Sequence, residues 1–366
     1  MSIHQSFQVS LGERSHPVHV GQGLLARSDI WPVPRGSRKA LVCLDAHLAG
    51  QRDALLTSLS VAGWEPACEI LTGSEALKDF QTLLPLYGSC LEHGLQRRSL
   101  LVAVGGGTIG DAVGFLAATY LRGIPWVSVP STLLAQVDSG LGGKTGVNHP
   151  AGKNLIGAIW QPAAIVCDTD LLQGLGQRDL VSGLGEMLKY GLIADAGYWS
   201  WLKHNLPGIL RREPELLAEG ILCSLQIKAR YVEADEPDLS GVRAALNFGH
   251  TFAHALEAVA GYGSFRHGEA VIWGMRLAAR ASAAIGWLAP EAADEIQAAL
   301  AALPVPPLPA MDVEALLKAL QHDKKREGAA VQTLLLRAIG QVDTLAVDLD
   351  TWRGWIKDFL AEATKV

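Results

Sequence analysis

Short apolar runs alternate with stretches of helical periodicity through the first 170 residues, and that alternation leaves few folds open. The runs at 40–44, 68–71, 100–104, 126–129 and 163–166 read as buried strands, and apolar residues recur at helical spacing in 83–91 and 112–121. Strands joined by helices demand a mostly parallel sheet covered on both faces. Upstream, Phe7, Val9 and Leu11, then Val18 and Val20, alternate with polar residues about Gly12-Glu13-Arg14, which predicts an opening hairpin. Beyond Thr169 the period becomes helical through 180–192, 216–232, 252–259, 271–285 and 313–320. Only 331–336 and 341–347 look like strands there, and the proline-rich 303–309 is a loop. The expected plan is an α/β domain over 1–169 and a mainly α-helical domain over 170–366, with ligands bound in a cleft between them.

The chain's 366 residues, 49% apolar and 19% charged, suffice for a full core without staples. Cys43, Cys68, Cys90, Cys167 and Cys223 are odd in number and contain no C-x-x-C pair, which points to a reducing, cytoplasmic setting. No basic segment leads into an apolar run at the amino terminus, and no stretch of about 18 apolar residues occurs, so neither export nor a membrane is expected. A net charge of −6 argues against a nucleic-acid partner and leaves room for a local basic pocket that binds an anionic small molecule.

Gly105-Gly106-Gly107-Thr108-Ile109-Gly110-Asp111 follows a strand and opens a helix, so it satisfies G-x-G-x-x-G in its proper context. Backbone N–H groups at such a turn can approach a pyrophosphate, which predicts a Rossmann-like nucleotide site. The layout is unusual, because the loop follows roughly the third strand and no acidic residue ends a strand about 20 residues later. Asp45, Glu75 and Lys78 are the candidate adenosine-side contacts.

Leu141-Gly142-Gly143-Lys144-Thr145 imitates the end of a P-loop, yet Asp138 stands where the first glycine belongs, so an NTPase is rejected. What remains is Asp138, Lys144, Lys153 and Asn154 within seventeen residues of a glycine-rich, permissive segment. Further on, His250 and His254 sit four apart on a helix and share one face, with His267 soon after. Spacing alone leaves open whether both members of that pair bind a metal or neither does. Glu186 and Lys189 are either functional or an exposed i,i+3 ion pair. Lys228, Arg243 and the 323–326 run add cations suited to a substrate carrying phosphate and carboxylate.

The segments GGGTIGDAVGFLAATYLRG, PSTLLAQVDSGLGGKTGVNHPAGKNLIGAIWQP, GLGEMLKYGLI, IKARYVEADE, VRAALNFGHTFAHALEA and FRHGEAV closely resemble, in wording and order, the 3-dehydroquinate synthase family of sugar-phosphate cyclases. The likeness spans about residues 40–340. It implies an enzyme that converts 3-deoxy-arabino-heptulosonate 7-phosphate to 3-dehydroquinate and phosphate by transient oxidation with NAD, phosphate elimination, reduction, ring opening and aldol closure. The resemblance assigns Glu186, His250 and His267 to zinc, with cobalt as an alternative, and turns His254 toward the substrate. Asp138, Lys144, Asn154, Lys189, Lys228, Arg243 and Asn247 match substrate contacts, joined by Lys324 or Lys325. Arg122 matches an arginine that reaches a neighbouring subunit, implying a homodimer. Asp45, Glu75, Lys78, Gly105, Gly106, Gly107, Gly110, Asp111, Ser131, Thr132, Lys144 and Lys153 fall on the cofactor side, with Lys153 close to both cofactor and substrate.

Four places depart from the family pattern: the neighbours of Glu75 and Lys78, Ser131 for threonine, Gly140-Leu141 for Ser-Val or Ser-Ile, and Gly174 for a cofactor-contacting threonine. Three competing readings are a sister cyclase acting on another sugar phosphate, a metal-dependent polyol dehydrogenase, and a catalytically idle nucleotide-binding protein. The run Gly142–Gly146 and the pair Lys153-Asn154 favour the dehydroquinate branch.

Overall fold

The computed structural model describes residues 4–261, 263–322, 326–327 and 330–363. The chain divides into two compact units, Met1–Leu175 with Arg211–Pro237, and Gly176–Leu210 with Asp238–Val366. The sequence suggests one boundary near residue 170; the chain crosses between units three times, because Arg211–Pro237 packs with the first.

In the first unit β1 (His4–Val9) pairs antiparallel with β2 (His16–Gly21) around the Gly12–Arg14 turn. There follow β3 (Lys39–Asp45), α1 (Arg52–Val61), β4 (Glu65–Leu71), α2 (Phe80–Glu92), β5 (Leu100–Gly105), α3 (Gly107–Thr119), β6 (Trp126–Pro130), β7 (Lys144–His149), β8 (Gly152–Ile159) and β9 (Ala164–Asp168). Seven strands form one sheet in the order β1-β2-β9-β6-β5-β3-β4, parallel apart from the first pair. Leu41, Cys43, Leu101 and Ala103 join Leu83, Leu86, Val113 and Leu116 of α2 and α3 in one core. Their neighbours Val42, Leu44, Val102 and Val104 join Leu55 and Leu59 of α1 in the other. Side chains alternate across a strand, so a sheet covered on both faces needs apolar residues at every position, which is why these runs are continuous rather than alternating. Each buried Val or Leu contributes about 1.5–3 kcal/mol. Parallel pairing also brings the carboxyl ends of β3, β5, β6 and β9 to one edge, where open α/β sheets bind ligands.

Segment 138–154, glycine-rich and permissive in sequence, is largely folded. A π-helical turn spans Ala135–Ser139, and β7 and β8 form an antiparallel hairpin. Glycine serves close strand approach here: a Cβ on Gly157 would lie 2.3 Å from the Thr145 carbonyl oxygen.

The second unit opens with α4 (Gln177–Ala194) and α5 (Ala196–Leu210); α6 (Pro214–Ala234) then belongs to the first unit. It resumes with α7 (His250–Ala260), α8 (His267–Ala284), α9 (Pro290–Ala301), α10 (Val313–His322), β10 (Arg326–Glu327), β11 (Ala330–Ala338), β12 (Gln341–Val347) and α11 (Leu349–Ala363). Helix α4 is buried without a break from Leu180 to Ile193, so it is the core helix of its unit, packed by α5 and α8. Helix α8 also packs on α7. The late hairpin is β11–β12. Periodicity does not expose α5, which contains Pro207, or the alanine-rich α9. Among the described residues no helix is long and apolar enough to cross a membrane.

Candidate functional site

The glycine turn lies where β5 ends and α3 begins, so the first N–H groups of α3 open onto the carboxyl edge of the sheet. A Cβ on Gly105 would lie 2.5 Å from Ile109 Cδ1, and one on Gly107 would lie 2.8 Å from Ser139 Oγ; these glycines permit tight packing of strand, helix and loop. Gly110 has nothing within 4 Å of its missing Cβ, so it leaves a bare helix surface. Gly106 faces Thr132, and Ser131 N donates to Gly105 O at 2.9 Å. Asp45 ends β3 and accepts from His47 N at 3.0 Å, with Gly73 against its carboxylate. Glu75 accepts from Asn148 Nδ2 at 2.7 Å and lies 3.9 Å from Lys153 Nζ. Gly174 has open space around it.

Lys78 is buried and joins two parts of this unit, donating to Asp111 Oδ2 at 2.7 Å and to Asn154 Oδ1. Burial pushes the Asp111 carboxyl above its ordinary range, while the Lys78 charge pulls it back. Asp138 rides on the π turn, and Lys228 of α6, itself buried, donates to its Oδ1 at 2.5 Å and to its backbone oxygen at 2.6 Å. Such turns recur where a side chain must leave regular helical phase. Lys144 and Lys153 are exposed. Leu121, Arg122 and Asn154 hold left-handed backbone at φ 49°, 66° and 55°, a strained state for residues with a Cβ.

In the second unit three donors converge. His250 Nε2 lies 3.5 Å from Glu186 Oε1, His267 Nε2 lies 3.8 Å from the same oxygen, and the two Nε2 atoms are 3.2 Å apart. His250 Nδ1 is 3.2 Å from the Phe248 carbonyl oxygen and His267 Nδ1 is 3.4 Å from Glu257 Oε1. Both partners accept, so Nδ1 carries the proton in each ring and Nε2 presents a lone pair. Burial, with Lys189 and the two other histidines adding to it, drives the His250 pKa well below its ordinary value and keeps the ring neutral. Glu186 is fully buried and its Oε1 accepts no hydrogen bond, although Lys189 pairs with Oε2. Three electron-pair donors facing one another are unfavourable unless a cation lies among them. A tetrahedral site with bonds of about 2.0–2.1 Å has donor separations of roughly 3.3–3.4 Å, close to this triangle. The donor set therefore fits a divalent metal.

Glu186 and Lys189 are not an exposed pair, since both are buried at the heart of α4. His254 is exposed, with its ring centroid 5.6 Å from that of His250 and 6.2 Å from that of His267. It stands beside the donor triangle rather than in it, because among the described residues the three-donor group is Glu186, His250 and His267. Arg243 is buried and Asn247 half-buried in the turn before α7. Lys324 and Lys325 lie outside the described residues. Sequence reading missed Glu257, although it falls seven residues after His250 and so on the same face of α7.

The chain matches the family models described as 3-dehydroquinate synthase N-terminal, over residues 68–182, and 3-dehydroquinate synthase C-terminal, over residues 183–326. Its fold is similar to a 2-deoxy-scyllo-inosose synthase crystallised with carbaglucose-6-phosphate, NAD+ and Co2+, at 24% identity over 97% of this chain and 99% of that one, with a TM-score of 0.87. A 2-epi-5-epi-valiolone synthase from Streptomyces hygroscopicus subsp. jinggangensis, solved with NAD+ and Zn2+, is 25% identical over 96% of this chain and 99% of its own, with a TM-score of 0.83. A probable glycerol dehydrogenase from Sinorhizobium meliloti shares the fold more distantly, at 17% identity over 94% and 96% of the two chains and a TM-score of 0.64. With the two family models matched in succession over residues 68–326, more than half of the chain, the chain belongs to the 3-dehydroquinate synthase family of sugar-phosphate cyclases.

Proposed function

We propose that the chain is a 3-dehydroquinate synthase that converts 3-deoxy-D-arabino-heptulosonate 7-phosphate to 3-dehydroquinate and inorganic phosphate. The observation that carries the reading is the convergence of Glu186, His250 and His267 next to the buried Lys189. Bound NAD would supply reversible hydride acceptance, and bound zinc or cobalt would supply Lewis acidity at the substrate hydroxyls. Lys144, Lys153, Lys228, Arg122, Lys189, Arg243 and Lys324 or Lys325 are assigned to the phosphate and carboxylate, where charge-assisted contacts fix orientation. Asn154 and Asn247 hold hydroxyls. Asp138, fixed by Lys228, accepts from one. His254 is exposed and next to the donor triangle, which suits its imidazole to relay a proton to the substrate's own phosphate oxygen as phosphate departs. Asp45, Glu75, Lys78, Asp111, Ser131 and Thr132 are assigned to NAD. A homodimer is part of the same reading, with exposed Arg122 as the arm toward a second copy.

The run Gly142–Gly146 and the pair Lys153-Asn154 favour this substrate over those of sister cyclases. The test is incubation with the heptulosonate phosphate, catalytic NAD and zinc, following phosphate and 3-dehydroquinate. Phosphate release without net NADH is expected. Turnover only with a different heptulose or hexose phosphate would assign a sister activity, and stoichiometric NADH from simple polyols would assign a dehydrogenase.

A further inference from the structure

His267 is the least enclosed of the three donors: its side chain is 35% exposed, against 9% for His250 and 0% for Glu186. It is also the first residue of α8, where the helix's own hydrogen bonds do not yet hold the chain. Crossed contacts between the first turns of α4 and α8 hold it instead. Arg178 of α4 donates through Nε to Glu269 Oε1 at 2.8 Å and through Nη2 to Glu269 Oε2 at 2.6 Å. Glu269 Oε2 also accepts from Arg266 N at 2.7 Å, closing the start of α8 on itself. In the reverse direction Arg266 Nε lies 3.1 Å from Asp179 Oδ1, while Arg178 Nη2 also donates to Ser264 O at 2.9 Å. Glu269 is wholly buried, two residues beyond His267, and each of its oxygens is taken by a fixed donor. A two-pronged guanidinium contact restricts rotation as well as distance, which a backbone contact between the helices alone does not.

We propose that Arg178 and Glu269 are positioning residues for His267: by locking the start of α8 onto the start of α4 they hold its Nε2 toward Glu186 and set how slowly a bound divalent ion leaves. This inference rests on the metal reading above. Neither residue touches the ion; both act through the ligand.

The test uses full-length protein loaded with zinc and follows transfer of zinc to a chromophoric chelator, without substrate or NAD, in wild type, Arg178→Gln, Arg178→Lys, His267→Ala and the Arg178→Gln/His267→Ala double variant. Arg178→Gln should release zinc about 10–100-fold faster than wild type, the range ordinary for groups that orient a ligand. Arg178→Lys should fall between them, since an ammonium keeps the charge but not the fork. In the His267→Ala background the second change should alter the rate by less than about 2-fold, because the ligand through which the arginine acts is gone. Glu269→Gln provides the same comparison if Arg178→Gln is recovered poorly. Equal acceleration in both backgrounds, or an unchanged zinc rate with a lowered melting temperature, makes the pair merely structural and overturns the proposal. Wild type and His267→Ala releasing zinc at one rate would remove the metal reading itself, and the proposal with it.

Discussion

Gly185 and Gly268 meet so closely that a Cβ on Gly185 would sit 2.6 Å from the Gly268 carbonyl oxygen. One is the residue before Glu186 and the other the residue after His267, so a close approach of α4 and α8 is also what brings two donors together. A Cβ on Gly268 would lie 1.8 Å from Ser182 O, and one on Gly274 1.9 Å from the carbonyl oxygen of Gly249, the residue before His250. Each of the three donors thus has as its neighbour in the chain a glycine at a helix contact.

Gly268→Ala should force α8 away from α4 and lower both melting temperature and zinc content. Overpacking of this kind costs about 1–3 kcal/mol. Gly174→Ala, where a Cβ meets nothing within 4 Å, should leave both unchanged. Calorimetry with elemental analysis checks the pair of outcomes, and normal zinc in Gly268→Ala would separate the helix crossing from the donor geometry.

Lys189→Met strips the buried Glu186 carboxylate of its cation. Breaking a buried pair from one side costs about 3–5 kcal/mol, so the metal-free variant should melt well below wild type. A divalent ion at Glu186 restores the missing positive charge. Saturating zinc should therefore raise the melting temperature more in Lys189→Met than in wild type. An equal rise in both proteins would place the ion away from Glu186.

The two histidines of α7 should separate cleanly. His254→Ala is expected to keep near-stoichiometric zinc and lose turnover, because an exposed proton relay has gone. His250→Ala should lose zinc and turnover together, since two protein donors are too few for a stable site. Elemental analysis at matched pH is the measurement, and equal zinc loss in both would make His254 a ligand.

Glu236 yields a pH prediction in the first unit. Arg14 Nε and Nη2 donate to its two oxygens at 3.0 and 2.5 Å and hold its carboxyl below the ordinary 4.5, with Gln161 Nε2 adding a third bond at 3.0 Å. A folded pKa below the unfolded one stabilises fully above about 4.5 and is lost as pH falls through the folded value. Glu236→Gln should melt below wild type at pH 7, and the gap should narrow as pH drops below about 4.5. Melting curves across that range check it; a gap independent of pH would assign the loss to shape rather than charge.

The alternation of apolar runs and helical stretches determined the parallel sheet, because a doubly covered sheet requires continuous apolar strands and each of those lies within a short window. The glycine turn at 105–110 was legible for the same local reason. His250 and His254 show the limit of that kind of reading: helical spacing puts them on one face, and it cannot say which of them meets residues 60 or more positions earlier or 17 later. Likewise nothing local distinguishes Glu186-Lys189 from a surface ion pair, or reveals that 138–154 folds into a π turn and a hairpin. Those outcomes depend on burial, on helix crossings at glycine and on contacts such as Arg178 with Glu269, 91 positions apart. Periodicity fixes which face of an element is apolar; only packing decides what that face meets.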